Sequence, residues 1–221
     1  FTTLGENIVE RGRKLLREAE EIATLARSSA EPLSGELTMG VIPTIAPFLL
    51  PRVLPKLRSA YPELKLFLRE ETSGQACDAL HRGRLDCALL ALPFGCGDVD
   101  SEVLFKDRLL LALPPSAAER MPEPVPPSAI DPEQLLLLED GHCLTDHALA
   151  VCGRHLPRGG AAIMGTTLHT LVQMVDNGLG MTLVPEMALK AGVLSGTGLQ
   201  VREIAADNPS RTFAHVWRRK I

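Results

Sequence analysis

The sequence predicts an α/β protein preceded by a long polar helix. Three observations carry that prediction. Strand-like apolar runs alternate with helix-like segments along most of the chain. Leu85–Leu92 is a continuous apolar run, as expected of a strand buried on both faces. The first thirty residues stand apart, densely charged with a narrow apolar stripe. With 221 residues and 45% hydrophobic composition, the chain can bury one sizeable core or two smaller ones.

Each element follows from its local pattern. Ile8, Leu15, Leu16, Ile22 and Leu25 recur near helical spacing, and a helix this polar is expected to pair with a second one. Ser28-Ser29-Ala30-Glu31-Pro32 and Ser34-Gly35 break it as a hinge. Glu36–Ile42 alternates as a strand, and Pro43–Pro47 opens a helix running to Ala60. Leu64–Glu70 is a second strand, followed by Thr72-Ser73-Gly74 and a helix to His81. After Leu85–Leu92, Leu104–Leu113 is strand-like, and the Pro-rich stretch from Pro114 to Pro132 is a loop or short-helix region. Gln134–Leu138 is a buried strand and Ala161–Met164 a short one. Thr167–Asn177 is a helix stopped by Asn177-Gly178; Gly180–Val184 is a strand, and Pro185 leads a helix to Ala191. Phe213–Trp217 closes the chain as a strand. The βαβα order predicts mostly parallel sheets, with ligands bound beyond the carboxyl ends of the strands.

Composition excludes several classes. The formal net charge of −4 does not make a nucleic-acid-binding surface. No apolar run has the length of a membrane span, and no charged-then-apolar leader marks export. Phe1 is not a natural start, so the chain reads as cut at its N-terminus, and any contact with DNA falls to a part ahead of it.

Five cysteines show neither CxxC nor Cys/His metal spacing, which fits a reducing cytoplasm without a disulfide framework. Cys143 and Cys152 are the exception, because a close pair in such a chain suggests metal or redox chemistry. Nine residues of continuous helix would separate them by about 13 Å, whereas a disulfide needs Cα atoms within roughly 7 Å. They can join only if the backbone between them is remodelled, which is a switch rather than a staple. Cys77, Cys87 and Cys96 read as bystanders, Cys87 in a buried strand and Cys96 on an exposed loop.

Thr3-Leu4-Gly5, Gly35-Glu36-Leu37, Pro43-Thr44, Leu49-Leu50-Pro51, Gly83-Arg84-Leu85-Asp86 and Gly178–Pro185 together resemble the linker helix and effector-binding domain of LysR-type transcriptional regulators. The likeness covers nearly the whole chain. Leu138–Leu144, with Cys152 beyond it, narrows the resemblance to the family's peroxide sensors. It implies two Rossmann-like, periplasmic-binding-protein-like subdomains joined by crossover strands: residues 31–106 with 212–221, and 107–211 carrying the redox cysteines, after a linker and dimerisation helix over 1–30. It also implies a winged helix-turn-helix head, a dimer-of-dimers on DNA, contact with RNA polymerase, and a bacterial cytoplasmic home. Hydrogen peroxide would be the signal and a thiol reductant such as glutaredoxin or thioredoxin the reset. No cofactor, metal, membrane or enzymatic turnover is implied.

Within that resemblance Cys143 is the peroxide-reacting thiol, placed at a strand-to-helix junction where backbone N–H groups favour a thiolate. A sulfenic acid there condenses with Cys152, the resolving thiol. The plain alternative for either is a small buried core residue. His142 can polarise the thiol or be structural. Asp146 can hold a peroxide oxygen or simply complement the helix dipole. Thr44 and Ser73 carry hydroxyls that donate and accept, as neutral peroxide requires, or cap helices. Arg211 supports the peroxide site or is a surface arginine. Residue 145 is threonine where these sensors often carry arginine, and losing that charge should weaken thiolate stabilisation. Thr166-Thr167 read mainly as a helix cap, and His147, His155 and His169 show no metal spacing.

Two other classes compete. A metabolite sensor of the same fold would close its cleft on a small organic anion, and a thiol peroxidase would turn over with a dedicated reductant. A periplasmic binding protein is an analogue of fold alone.

Overall fold

The computed structural model describes residues 2–27, 33–153, 164–165 and 167–219. Helix α1 spans Thr3–Arg27, and its Leu4, Ile8, Leu15, Leu16 and Ile22 are exposed, so these apolar side chains have no cover among the described residues. The hinge expected over Ser28–Pro32, the side chain of Leu25, and Thr166 and His155 lie outside the described residues.

The body follows the expected order. Strand β1 is Gly35–Val41, helix α2 Ala46–Ala60, β2 Leu64–Glu70, α3 Ser73–His81 and β3 Cys87–Leu92. Strand β4 runs over Val99–Leu113, followed by the short α4 at Pro115–Ala118 and two turns of 3₁₀ helix. Then come β5 at Leu137–Leu138, α5 at Cys143–Val151, β6 at Met164–Gly165, α6 at Leu168–Asp176, β7 at Thr182–Pro185 and α7 at Glu186–Lys190. Strands β8 at Gln200–Arg202 and β9 at Ser210–Arg218 complete the chain.

The principal sheet has the order β2-β1-β3-β9-β4-β7, with β8 also on β4. It is mixed, which corrects the expectation of mostly parallel pairing. Strand β1 is parallel to β2 and β3, and β5 to β6, but β9 runs antiparallel to β3 and β4, and β7 and β8 antiparallel to β4. Alternation along the sequence fixes local crossover units; it does not fix the direction of strands that return from a distant part of the chain.

Element boundaries also differ: β9 begins at Ser210 rather than Phe213, and two others differ more. Strand β4 begins at Val99 rather than Leu104, because its first half is exposed and held by the β9 ladder instead of by an apolar face. Gln134 ends a 3₁₀ turn, Leu135 makes a single bridge to Met181, and only Leu137–Leu138 is strand, so the expected strand over 134–138 is mostly irregular. The Gly180 backbone crosses this bridge at φ +153, and a Cβ there would collide with the Gln134 carbonyl.

Strand β4 changes partners midway. Up to Arg108 it pairs with β9, and from Leu109 onward with β7 and then β8. Asp107 lies just before that hand-over, across the ladder from Arg211.

Candidate functional site

The site is built around a fully buried guanidinium. Arg211 is 0% exposed and stands directly across the ladder from Asp107. Its Nε and Nη2 donate to Asp107 Oδ2 at 3.3 and 3.2 Å, while the Met187 backbone N–H donates to Oδ1 at 2.9 Å. Nη1 donates to Thr44 Oγ1 at 2.7 Å and Nη2 to the Thr44 carbonyl at 3.0 Å. The Phe213 ring lies under the guanidinium, 4.7 Å from its carbon. Burial works against the arginine's charge and holds its pKa below the ordinary range, while Asp107 opposes that in part. A surface arginine is thereby excluded.

Cys143 is the first residue of α5, following an N-cap at His142 that supplies no side-chain cap. It is 1% exposed and not disulfide-bonded. Gly141, at φ +95, turns the preceding loop so that its backbone lies against Thr72 at the start of α3. Burial pushes the Cys143 thiol up, and Asp146 adds to that; the Ser73 hydroxyl, the Arg211 charge and the Ala91 backbone pull it down. The Ser73 oxygen is buried and completes no hydrogen bond of ordinary geometry, so it stands ready for the ionised sulfur.

The capping alternatives for Thr44 and Ser73 do not hold. Thr72 caps α3, accepting from the Gln75 N–H while Gln75 accepts from the Thr72 N–H. Ile45 is the N-cap of α2 without a side-chain bond, and the Thr44 hydroxyl serves Arg211 instead. Thr44, Ser73, Cys143 and Arg211 are thus brought together past the carboxyl ends of β1 and β2. His142 and Asp146 are less engaged. His142 is half-buried, its ring held below the ordinary histidine range by burial with Glu139 opposing, and Asp146 is exposed.

Cys152 is the C-cap of α5 and 6% exposed. A continuous helix lies between it and Cys143, which keeps the two thiols about 13 Å of rise apart. Thr145 stitches α5 to the preceding strand by donating from Oγ1 to the Leu138 carbonyl at 2.9 Å. Among the described residues the cation acting on Cys143 is Arg211, from the closing strand.

The bystander reading of Cys77 and Cys96 is corrected. They form a disulfide with Cα atoms 5.3 Å apart, and both are buried, so Cys96 is not on an exposed loop. Nineteen residues separate them, and only the packing of α3 against the loop after β3 brings them into range. Cys87 is core, its thiol pushed up to about 11 by burial and then by Asp86. Thr167 caps α6 by accepting from the Thr170 N–H, and His169 stacks on Phe48.

Sequence reasoning missed Asp107, and it missed that His147 is buried on α5 one turn beyond Cys143. Asp107 carried a signal, a lone carboxylate entering the apolar end of β4. His147 carried one only in retrospect, at i+4 from Cys143 on the same helix face.

The chain over residues 30–220 matches the family model described as the LysR substrate binding domain. It is 37% identical over 220 residues to the HTH-type transcriptional regulator EstR of Acinetobacter baylyi, covering 99% of this chain and 72% of that protein. It is 36% identical over 218 residues to the DNA-binding transcriptional dual regulator OxyR of Escherichia coli, covering 99% and 71%. Among solved structures, the reduced regulatory domain of OxyR2 from Vibrio vulnificus superposes with a TM-score of 0.79 at 36% identity, covering 87% of this chain and 91% of that one. A hydrogen-peroxide-bound OxyR mutant from Corynebacterium glutamicum gives a TM-score of 0.80 at 28% identity, covering 99% and 69%.

Proposed function

The chain belongs to the LysR substrate-binding domain family, and on that premise we propose that it is the hydrogen-peroxide-sensing regulatory domain of a LysR-type transcription factor. One observation carries the reading: a buried thiol at a helix N-terminus surrounded by the Ser73 hydroxyl and by an arginine that Thr44 and Asp107 hold in place. Sensing begins with the Cys143 sulfur attacking one peroxide oxygen. The O–O bond breaks, the sulfur becomes a sulfenic acid, and the departing oxygen leaves as water once it has gained a proton. The Cys152 thiol then attacks the sulfenic sulfur, a second water leaves, and a Cys143–Cys152 disulfide remains. Arg211, Ser73 and Thr44 supply charge and donors to sulfur and peroxide; His142 and Asp146 line the approach.

The switch lies in the distance. Helix α5 cannot persist with its two ends bonded, so closure of the bridge requires the helix to unwind. Residues 31–106 with 212–221 form one half of the domain and 107–211 the other, and the remodelled segment shifts how the halves present themselves to partners. The uncovered stripe of α1 pairs with a second copy, giving a dimer and then a tetramer. A DNA-binding head ahead of this chain reaches the promoter and RNA polymerase in the bacterial cytoplasm. A dithiol reductant of the glutaredoxin or thioredoxin class resets the bridge, so the chain signals stoichiometrically and is not an enzyme.

One equivalent of hydrogen peroxide, followed by thiol blocking, digestion and mass spectrometry, tests this directly. A peptide linked through Cys143 and Cys152 is expected. Oxidised protein without that link, or unreacted Cys143, removes the reading.

A second reading, sensing of a small organic anion, is favoured by a groove of about 640 Å³ between α2, β4 and α7. Leu49, Val53 and Phe105 line it with Arg52, Lys56 and Lys106. A chain carrying Cys143→Ser and Cys152→Ser that still responds to a metabolite in a promoter assay would select this reading.

A further inference from the structure

The Cys143 thiol is buried and burial pushes its pKa up, and attack on peroxide requires it to lose a proton. Arg211 cannot take it, and Asp107 is already committed to Arg211 and to the Met187 N–H. Asp146 is exposed. One buried basic group is left uncommitted by these contacts.

His147 lies one helical turn beyond Cys143 on α5, a spacing that stacks the two side chains on one face. Both are buried, at 5% and 1% exposure. The thiol faces the Ala91 backbone and the imidazole faces Leu92 and Pro93, the next two residues along the end of β3. Arg211 of β9 neighbours both. Neither ring nitrogen of His147 completes a hydrogen bond of ordinary geometry among the described residues, an uncommon state for a buried histidine.

We propose that His147 accepts the Cys143 proton as the sulfur attacks hydrogen peroxide and returns it to the departing oxygen. The balance closes without another reactant. The S–H bond breaks and a ring nitrogen gains the proton; the S–O bond forms as the O–O bond breaks; the leaving hydroxide takes the proton back and departs as water. His147 ends neutral, as it began. The groups around it favour that neutral state. Burial and the Arg211 charge hold the ring below the ordinary histidine range, while Asp146 and the Leu92 and Pro93 carbonyls oppose only in part. This role rests on the peroxide-sensing reading and deepens it.

The test is the pH dependence of Cys143 sulfenylation in the full chain, in a Cys152→Ser background, measured by trapping and mass spectrometry after addition of hydrogen peroxide. With an internal proton acceptor, the rate is flat from about pH 7 to 8.5, where thiol and imidazole are both neutral. In His147→Gln the rate should fall at least tenfold at pH 7, then climb about tenfold per pH unit as bulk ionisation takes over. A wild-type rate in His147→Gln at pH 7, or a slowing by the same factor at every pH, overturns the proposal, since a merely structural role does either. If His147→Gln does not fold, the wild-type profile decides: a rate that rises tenfold per unit through neutrality overturns it. Wild-type Cys143 that does not react with peroxide at all removes the peroxide-sensing reading instead.

Discussion

Asp107 and Arg211 are opposed residues on the antiparallel β4–β9 ladder, and they form an ion pair with almost no solvent exposure on either side. The pair sits where β4 exchanges β9 for β7, so the guanidinium reaches Thr44 after β1 while the carboxylate reaches the start of α7. One charge pair thereby joins elements from both ends of the chain, with its arginine beside the Cys143 sulfur. Removing a single partner of a buried pair leaves an uncompensated charge, at a cost of about 3–5 kcal/mol. Asp107→Ala should lose that much in urea denaturation. Unchanged stability would show that solvent reaches the arginine.

Ser73 is poised differently. Its hydroxyl is buried and pulls the Cys143 pKa down without holding the neutral thiol in an ordinary hydrogen bond. Its contribution appears only when the sulfur ionises, where a hydrogen bond to a charged group contributes about 1.5–3 kcal/mol. Ser73→Ala should therefore raise the Cys143 pKa, and alkylation by iodoacetamide at pH 8 should slow roughly tenfold with little change in melting temperature. Equal alkylation rates across pH 7–10 would remove Ser73 from the site.

Much of this architecture was legible in the sequence. Strand β2 and helix α3 fall where alternation and the Thr72-Ser73-Gly74 turn place them, and Asn177-Gly178 ends α6 with Gly178 at positive φ. Thr44 and Ser73 were legible as hydroxyl-bearing residues just after β1 and β2, and the structure places Thr44 on Arg211 and Ser73 beside Cys143. What escaped was set by pairing between distant segments. Residues 99–103 of β4 and the three residues of β8 show no alternating apolar pattern; their strands are defined by backbone partners far away in sequence. The Cys77–Cys96 bond escaped for the same reason, because spacing along the chain says nothing of a helix folding onto a loop.

That bond braces the site from outside. Cys77 lies one turn along α3 from Ser73, and Cys96 three residues beyond Pro93, which faces His147. A closed loop of this length stabilises by about 3 kcal/mol through the unfolded chain. Cys77→Ala with Cys96→Ala should lower the unfolding free energy by that order and slow Cys143 oxidation through loosened walls. Thiol counting in the denatured protein checks the premise: two thiols should become accessible only after reduction. Five reactive thiols without reductant would show that the bond is not formed.

Stability should fall on both sides of neutrality. The folded state holds His142, His147 and His215 below their unfolded pKa of 6.5, chiefly by burial. Below pH 6.5 the unfolded chain then binds more protons, so stability declines as pH falls. The buried thiols of Cys143 and Cys87 are raised above 9.0, so the folded chain keeps protons that the unfolded chain releases, and stability declines as pH rises past 9. Urea midpoints across pH 5–10 should trace a plateau between those limits, and His147→Gln should flatten the acid side. A curve that keeps rising as pH falls below 6.5 would contradict the buried neutral histidines.

Thr145 offers a test of whether the first turn of α5 gives way on oxidation. Its hydroxyl donates to the Leu138 carbonyl, a bond between the first turn of α5 and the strand before it. If closing the Cys143–Cys152 bridge unwinds that turn, the bond belongs to the reduced form alone. Thr145→Val keeps the shape and removes the donor, taking about 1 kcal/mol from the reduced state and shifting the reduced–oxidised equilibrium roughly fivefold toward the disulfide. A glutathione redox titration reads that shift directly. An unchanged midpoint means that the first turn of α5 survives oxidation, and the unwinding must then begin beyond Thr145, toward Cys152.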